Sequence, residues 1–204
     1  MYEEAFRKLE VEEAREISDL INPQIEGFDF DPALATILAQ DLSFYSGHTL
    51  YDIADYSVSP AMRRFAVVKD KAVTILDWTN APIYALNGAV PLSLNDDNID
   101  EYVRFFFAYV RGDKGAFVLA ENIDDVRWRD DPPPAARKAI GNVLVPLAVI
   151  DQEKDGSYRL QASMVFKDSL FQSDIQVTED GHVFMSNEEL LLEDLPVLDD
   201  IFGQ

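Results

Sequence analysis

The segment NIDEYVRFFFAYVRG, residues 98–112, constrains this chain more than any other. Wound as a helix, Ile99, Tyr102, Val103, Phe106, Tyr109 and Val110 follow one broad side, and Phe105, Phe107 and Ala108 widen it far beyond a stripe. A helix apolar nearly all round must be covered by other elements, so the rest of the chain is expected to supply a core around it. Asn98 is placed to cap it, with Glu101 three residues on completing a capping box, and Gly112 to close it. Arg104 does not fit an apolar wall and requires a carboxylate partner or a route to water.

Enough apolar material exists for such a core. Of 204 residues, 48% are apolar and 11% aromatic, which removes disorder as the default. Upstream, residues 3–21 are expected to form a first helix stopped at Asn22-Pro23. A second helix is expected from Asp31 as N-cap, with Pro32 in its first turn, through Leu34, Ile37, Leu38 and Leu42 to Gly47. Residues 64–86 then read as two or three short strands, with tight connections at Asp70-Lys71 and near Asn80. Asp155-Gly156 and Asp180-Gly181 stand between strand-like runs and suit two-residue hairpin turns. From Tyr158 to Lys167 apolar and polar residues alternate, as in a strand with one wet face. NVLVPLAVI, 142–150, is apolar on both faces and is expected inside a sheet or beneath a helix, although Pro146 favours an edge. Three prolines at 132–134 make a stiff connection before a short helix.

The expected fold is one α+β domain over residues 1–204. Residues 1–60 form a helical N-terminal part, 61–122 hold strands and the buried central helix, and 123–204 form a β-meander with an acidic tail. The helix would lie across a curved, mostly antiparallel sheet, making an open cone.

Charge limits the function classes. Seventeen basic residues against 38 acidic ones leave a net charge of −21, which repels nucleic acid and anionic lipid. RWR, 127–129, could stack on a nucleic-acid strand, but Asp124, Asp125, Asp130 and Asp131 surround it, so a sheet edge with local ion pairs is the better account. The chain has no cysteine, which excludes disulfides, thiolate metal sites and cysteine nucleophiles. No run reaches the length of a membrane span, and the N-terminal residues lack the apolar core of a secretory leader. A bacterial cytoplasmic protein is the expectation.

Catalytic candidates are sparse. Ser46, His48, Asp52 and Asp55 include the parts of a nucleophilic triad, yet Ser46 lacks the strained elbow that exposes such a serine. A helix end capped by Gly47, with the histidine near the helix carbonyls, is the simpler reading. Asp77 in TILDWT and Glu121 after GAFVLA stand among apolar neighbours, where burial would raise a carboxyl pKa toward acid/base use. For either residue the competing account is a strand end emerging into water, or pairing with Arg63, Arg64 or Arg104. DQEKDG, 151–156, starts like a calcium loop but has Ala162 where the bidentate glutamate belongs. No metal and no cofactor are expected.

The tail is the remaining candidate. Asp168 to Gln204 holds ten Asp or Glu and no Lys or Arg. Within it Leu190, Leu191, Leu195, Leu198 and Phe202 are interleaved with acids, a pattern able to dock on a partner with a basic rim or to pack back on its own sheet. Two functions follow as expectations. One is a non-catalytic binding or adaptor module for a basic protein. The other is a small cofactor-free hydrolase or isomerase using Asp77, Glu121 or His48 in a cone lined by Phe106, Tyr109 and Trp78.

Overall fold

The computed structural model describes residues 6–112 and 114–198. These residues form an α+β protein with, among them, four α-helices and two antiparallel sheets of five strands each. The chain divides into two compact units, one running to Ser93 and the other from Leu94.

The first unit carries β1 (Arg7–Lys8), α1 (Val11–Ile21), β2 (Thr36–Asp41), β3 (Thr49–Asp55), β4 (Met62–Lys69), β5 (Ala72–Leu76) and α2 (Ala81–Ala89). Its sheet is ordered β1-β2-β3-β4-β5, antiparallel throughout, with Ile37 opposite Ile53 and Asp52 opposite Phe65. Ala14 and Ile21 of α1 join Phe30, Ile37, Ile53 and Ala66 in one buried cluster. The chain enters α1 through Glu10, whose N–H donates to Glu13 at 3.2 Å. It leaves at Asn22, whose side chain holds both backbone groups of Phe30.

Three local expectations in this unit are corrected. The first helix begins at Val11, and Arg7–Lys8 are strand. The second N-terminal helix is absent from the described residues. Asp31 does cap a turn, its Oδ1 accepting from the Ala33 N–H at 2.8 Å and its carbonyl from Leu34 and Ala35. The turn does not propagate, because Ile37 and Ala39 bury toward the core as β2, and strand pairing satisfies the backbone that a helix would otherwise close on itself. Residues 81–89 form a helix rather than a third strand, with Asn80 as N-cap and a proline in the first turn. The turn at Asp70-Lys71 stands as expected, Asp70 taking a positive φ of 52°.

The second unit carries α3 (Ile99–Tyr109), β6 (Phe117–Leu119), α4 (Pro134–Gly141), β7 (Ala148–Gln152), β8 (Tyr158–Phe166), β9 (Ser169–Val177) and β10 (Val183–Leu192). β7, β8, β9 and β10 form an antiparallel meander, and β6 pairs with the last three residues of β8 on the side that β7 uses earlier along it. Both Asp-Gly turns connect strands, but as three-residue loops. Gly156 (φ 84°) and Gly181 (φ 79°) are left-handed whereas the Asp before each is not, which excludes the two-residue mirror turn and fits a type I turn closed by a left-handed glycine. The bonds from Glu153 N–H to the Ser157 carbonyl and from Thr178 N–H to the His182 carbonyl close the loops.

Two further corrections concern burial and capping. Residues 148–152 are exposed on both faces, not enclosed: Val149 is 42% and Ile150 53% accessible. Pro146 ends the preceding segment, and Ile150 is a bulge in the β7–β8 ladder. Asn98 stands at the N-cap of α3 without the expected capping box, its Oδ1 accepting from the Asn95 N–H at 2.8 Å. The helix buries Ile99, Tyr102, Val103, Phe105, Phe106 and Tyr109, while Ala108 is exposed and Arg104 and Phe107 are half-buried.

No helix among the described residues is long and apolar enough to cross a membrane.

Candidate functional site

His48 closes the loop between β2 and β3. Gly47, at φ 71°, makes the reversal that a side chain with a Cβ would strain, and the Lys69 ammonium donates to the Ser46 carbonyl at 2.8 Å. The His48 ring is buried, its Nδ1 3.2 Å from the same carbonyl and its face near Tyr45. The carboxylates a triad would need are engaged elsewhere. Asp52 accepts two bonds from Arg63, whose guanidinium also lies 4.9 Å over the Phe65 ring. Asp55 accepts from the Ser57 N–H at 2.7 Å. Ser46, His48, Asp52 and Asp55 therefore form a loop anchor and a cross-strand ion pair. That arrangement gives no relay from a serine hydroxyl through imidazole to carboxylate.

Asp77 lies just past the end of β5 and is exposed. Its Oδ1 accepts from the Thr79 N–H at 2.9 Å and the Thr79 hydroxyl at 2.7 Å, ordering the turn into α2. The strand stops at Leu76, so the burial among apolar neighbours that acid/base use needs is missing. Trp78, half-buried with φ 70°, packs edge-on against Phe65.

Glu121 and Arg104 find each other. The guanidinium donates from Nε and Nη2 to the two Glu121 oxygens at 2.8 and 2.9 Å, and from Nη1 to Asp100, one turn earlier on α3. The flanking carboxylates raise the arginine pKa further above its ordinary value, with Glu121 the largest cause. A bidentate pair plus a third charge-assisted bond is a strong local clamp between α3 and the strand end after β6. Both Glu121 oxygens are committed to it. Phe106 and Tyr109 are buried on α3.

Turn chemistry absorbs the other polar clusters. Asp155 accepts from the Ser157 N–H and hydroxyl at 3.0 and 2.7 Å, which holds its carboxyl below the usual range. Asp180 binds the Thr178 hydroxyl at 2.5 Å and lies 3.1 Å from His182, with the same consequence. Arg137 of α4 reaches Asp124 and Asp131. Trp128 Nε1 donates to the Ile123 carbonyl, and its backbone bridges to Val197. Among the described residues no three His, Asp or Glu side chains converge in a metal-binding group.

The acidic tail divides. Leu191, Leu192, Leu195 and Val197 join Ala120, Val126, Ile140, Val165 and Leu170 in the second unit's core, and the Leu195 N–H donates to the Asp168 carbonyl at 2.8 Å. Leu190 and Leu198 stay 45% and 52% accessible. Phe202 lies outside the described residues. Phe184, at 54% accessible, joins Leu190 as an exposed apolar side chain on β10. Sequence reasoning missed Phe184 as a candidate; its signal was a large ring placed between Val183 and Met185 on a strand whose alternate positions turn outward.

No family model matches the sequence, no curated protein matches it, and no solved structure matches the fold.

Proposed function

We propose that this chain is a non-catalytic protein-binding module whose partner is a basic protein. The observation that carries the reading is the one-signed charge of the last strands. No Lys or Arg occurs after Lys167, and Glu188, Glu189, Glu193 and Asp194 are all exposed beside the accessible side chains of Phe184, Leu190 and Leu198. Apolar surface gives an encounter its short-range attraction, and a uniform acidic field steers and selects a cationic partner. The same field disfavours nucleic acid, whose phosphates it repels.

The alternative acid/base chemistry draws little support from its own residues. Asp77 is exposed in a turn, Glu121 spends both oxygens on Arg104, and the His48 ring lies against a backbone carbonyl while Asp52 pairs with Arg63.

Capture on the immobilised chain from a cell lysate, washed at low and then high salt, tests the reading. A basic protein should be held at low salt, displaced by free chain in solution, and released as screening rises. Retention of acidic or neutral proteins alone, insensitive to salt, would refute the reading. A small molecule accompanying the purified chain in native mass spectrometry would turn attention to the catalytic alternative.

A further inference from the structure

From the β10 edge we infer that the basic partner docks as an added β-strand, an extended segment with lysine or arginine alternating with apolar residues. This rests on the binding reading above and specifies where and how it operates.

The ladder identifies which backbone groups are available. The Thr178 N–H donates to the His182 carbonyl and the Leu195 N–H to the Asp168 carbonyl, so even-numbered residues of β9 turn their backbone groups toward β10. Their register partners Phe184, Ser186 and Glu189 are thereby used inward. In an antiparallel pair the intervening residues point their N–H and C=O away from the ladder, which directs those of Met185 and Leu190 to the outer edge. Among the described residues β10 terminates its sheet. The same parity holds on the far side, where Ser163 of β8 donates to the Val145 carbonyl and accepts from the Ala120 N–H.

Charge selects the occupant. Exposed strand edges invite pairing with any extended chain, and natural proteins interrupt them with bulges and charges. β10 has both: register shifts between Ser186 and Glu189 and between Leu190 and Leu192, and exposed Glu188 and Glu189. Lysine at such an edge would repel basic strands. Glutamate instead repels a second copy of this chain, which carries −21, and attracts a cationic segment. The bulge puts Phe184 and Glu189, opposite Gln176 and Gln172, on one face and Met185 and Leu190, opposite Ile175 and Phe171, on the other, so an incoming strand hydrogen-bonded to Met185 and Leu190 would set its apolar side chains beside Met185 and Leu190 and its basic ones beside Glu189 and the Phe184 ring. The opposite edge, β7, is apolar and exposed but lies among Asp151, Lys154 and Arg159, whose mixed signs choose no partner.

The probe is a dye-labelled ten-residue peptide alternating lysine with valine and threonine, titrated with the full chain by fluorescence anisotropy. Two companions have the same composition: one N-methylated on alternate amides, one with its lysines collected in a single block. The alternating peptide should bind about tenfold or more tightly than either companion. Phe184→Lys and Leu190→Pro should each cost about tenfold in its affinity, whereas Glu26→Gln with Asp29→Asn, exposed acids of the other unit, should change it little. If Leu190→Pro unfolds, as circular dichroism would reveal, Phe184→Lys and the methylated peptide decide. Equal binding of all three peptides would overturn strand addition while leaving the basic-partner reading intact. No binding of any of them at low salt would overturn both.

Discussion

Arg104 shows how a single awkward residue is resolved by its surroundings. The guanidinium in an otherwise apolar helix joins Glu121 and Asp100, and removing one member leaves half-buried charge without its partner. Arg104→Ala should destabilise the chain by about 1–3 kcal/mol, the scale of a hydrogen-bonded charge pair short of full burial. Asp77→Ala, which loses only turn bonds in an exposed loop, should cost under about 1 kcal/mol. Urea midpoints at unchanged slope measure both. Tyr158 gives a pH-dependent counterpart. Burial first, then its bond to Asp96, pushes its phenol pKa up. The folded chain therefore keeps this proton above the pH, about 10, at which the unfolded chain loses it. The stability this contributes is complete below that ordinary value and falls as pH rises through the raised one. Melting temperature should decline above about pH 10, and Tyr158→Phe should flatten the decline. Tyr51, also raised chiefly by burial, contributes with the same sign.

At the scale of the element, α3 is less uniform than its composition implies. Phe105 has no accessible surface, whereas Phe107, two residues on, is half-buried. Phe105→Ala should cost about 3–5 kcal/mol through lost burial and the cavity left behind, and Phe107→Ala clearly less. Equal urea midpoints for the two variants would contradict the facing described for the helix. The N-terminal region makes the converse point. Asp31 and Pro32 are sound helix-start signals, and the turn they specify exists. Thr36 to Asp41 nonetheless becomes a strand, because initiating a helix is unfavourable unless following residues extend it, while β1 and β3 offer pairing on both edges.

For the whole molecule, hydrophobic stabilisation draws on a cluster around Ile21, Phe30 and Ile37 in the first unit, on one around Ala120, Leu170 and Val197 in the second, and on further buried side chains such as Tyr45, Tyr102 and Phe105. Against it works the mutual repulsion of a −21 chain. Raising potassium chloride from about 10 mM to about 150 mM shortens the screening length from about 30 Å to about 8 Å, and the melting temperature should rise. An unchanged value would mean that local pairs such as Arg63–Asp52 and Arg137–Asp124 already neutralise most of the field.

By itself the sequence determined what depends on neighbours along the chain. The turns at Asp70, Gly156 and Gly181, the helix after the three prolines and the alternation that begins β8 follow from local backbone preference and side-chain period. It also determined the surplus of negative charge and the need of Arg104 for a carboxylate. Tertiary structure decided which of several carboxylates that would be, the strand at 36–41, the exposure of β7, and the division of the tail into core leucines and edge leucines. Each of these depends on which distant segment lies alongside, and pairing across tens of residues leaves no mark in the local pattern. Leu190 and Leu195 are chemically identical, five residues apart, and only the strand edge beside one and the core beneath the other give them different roles.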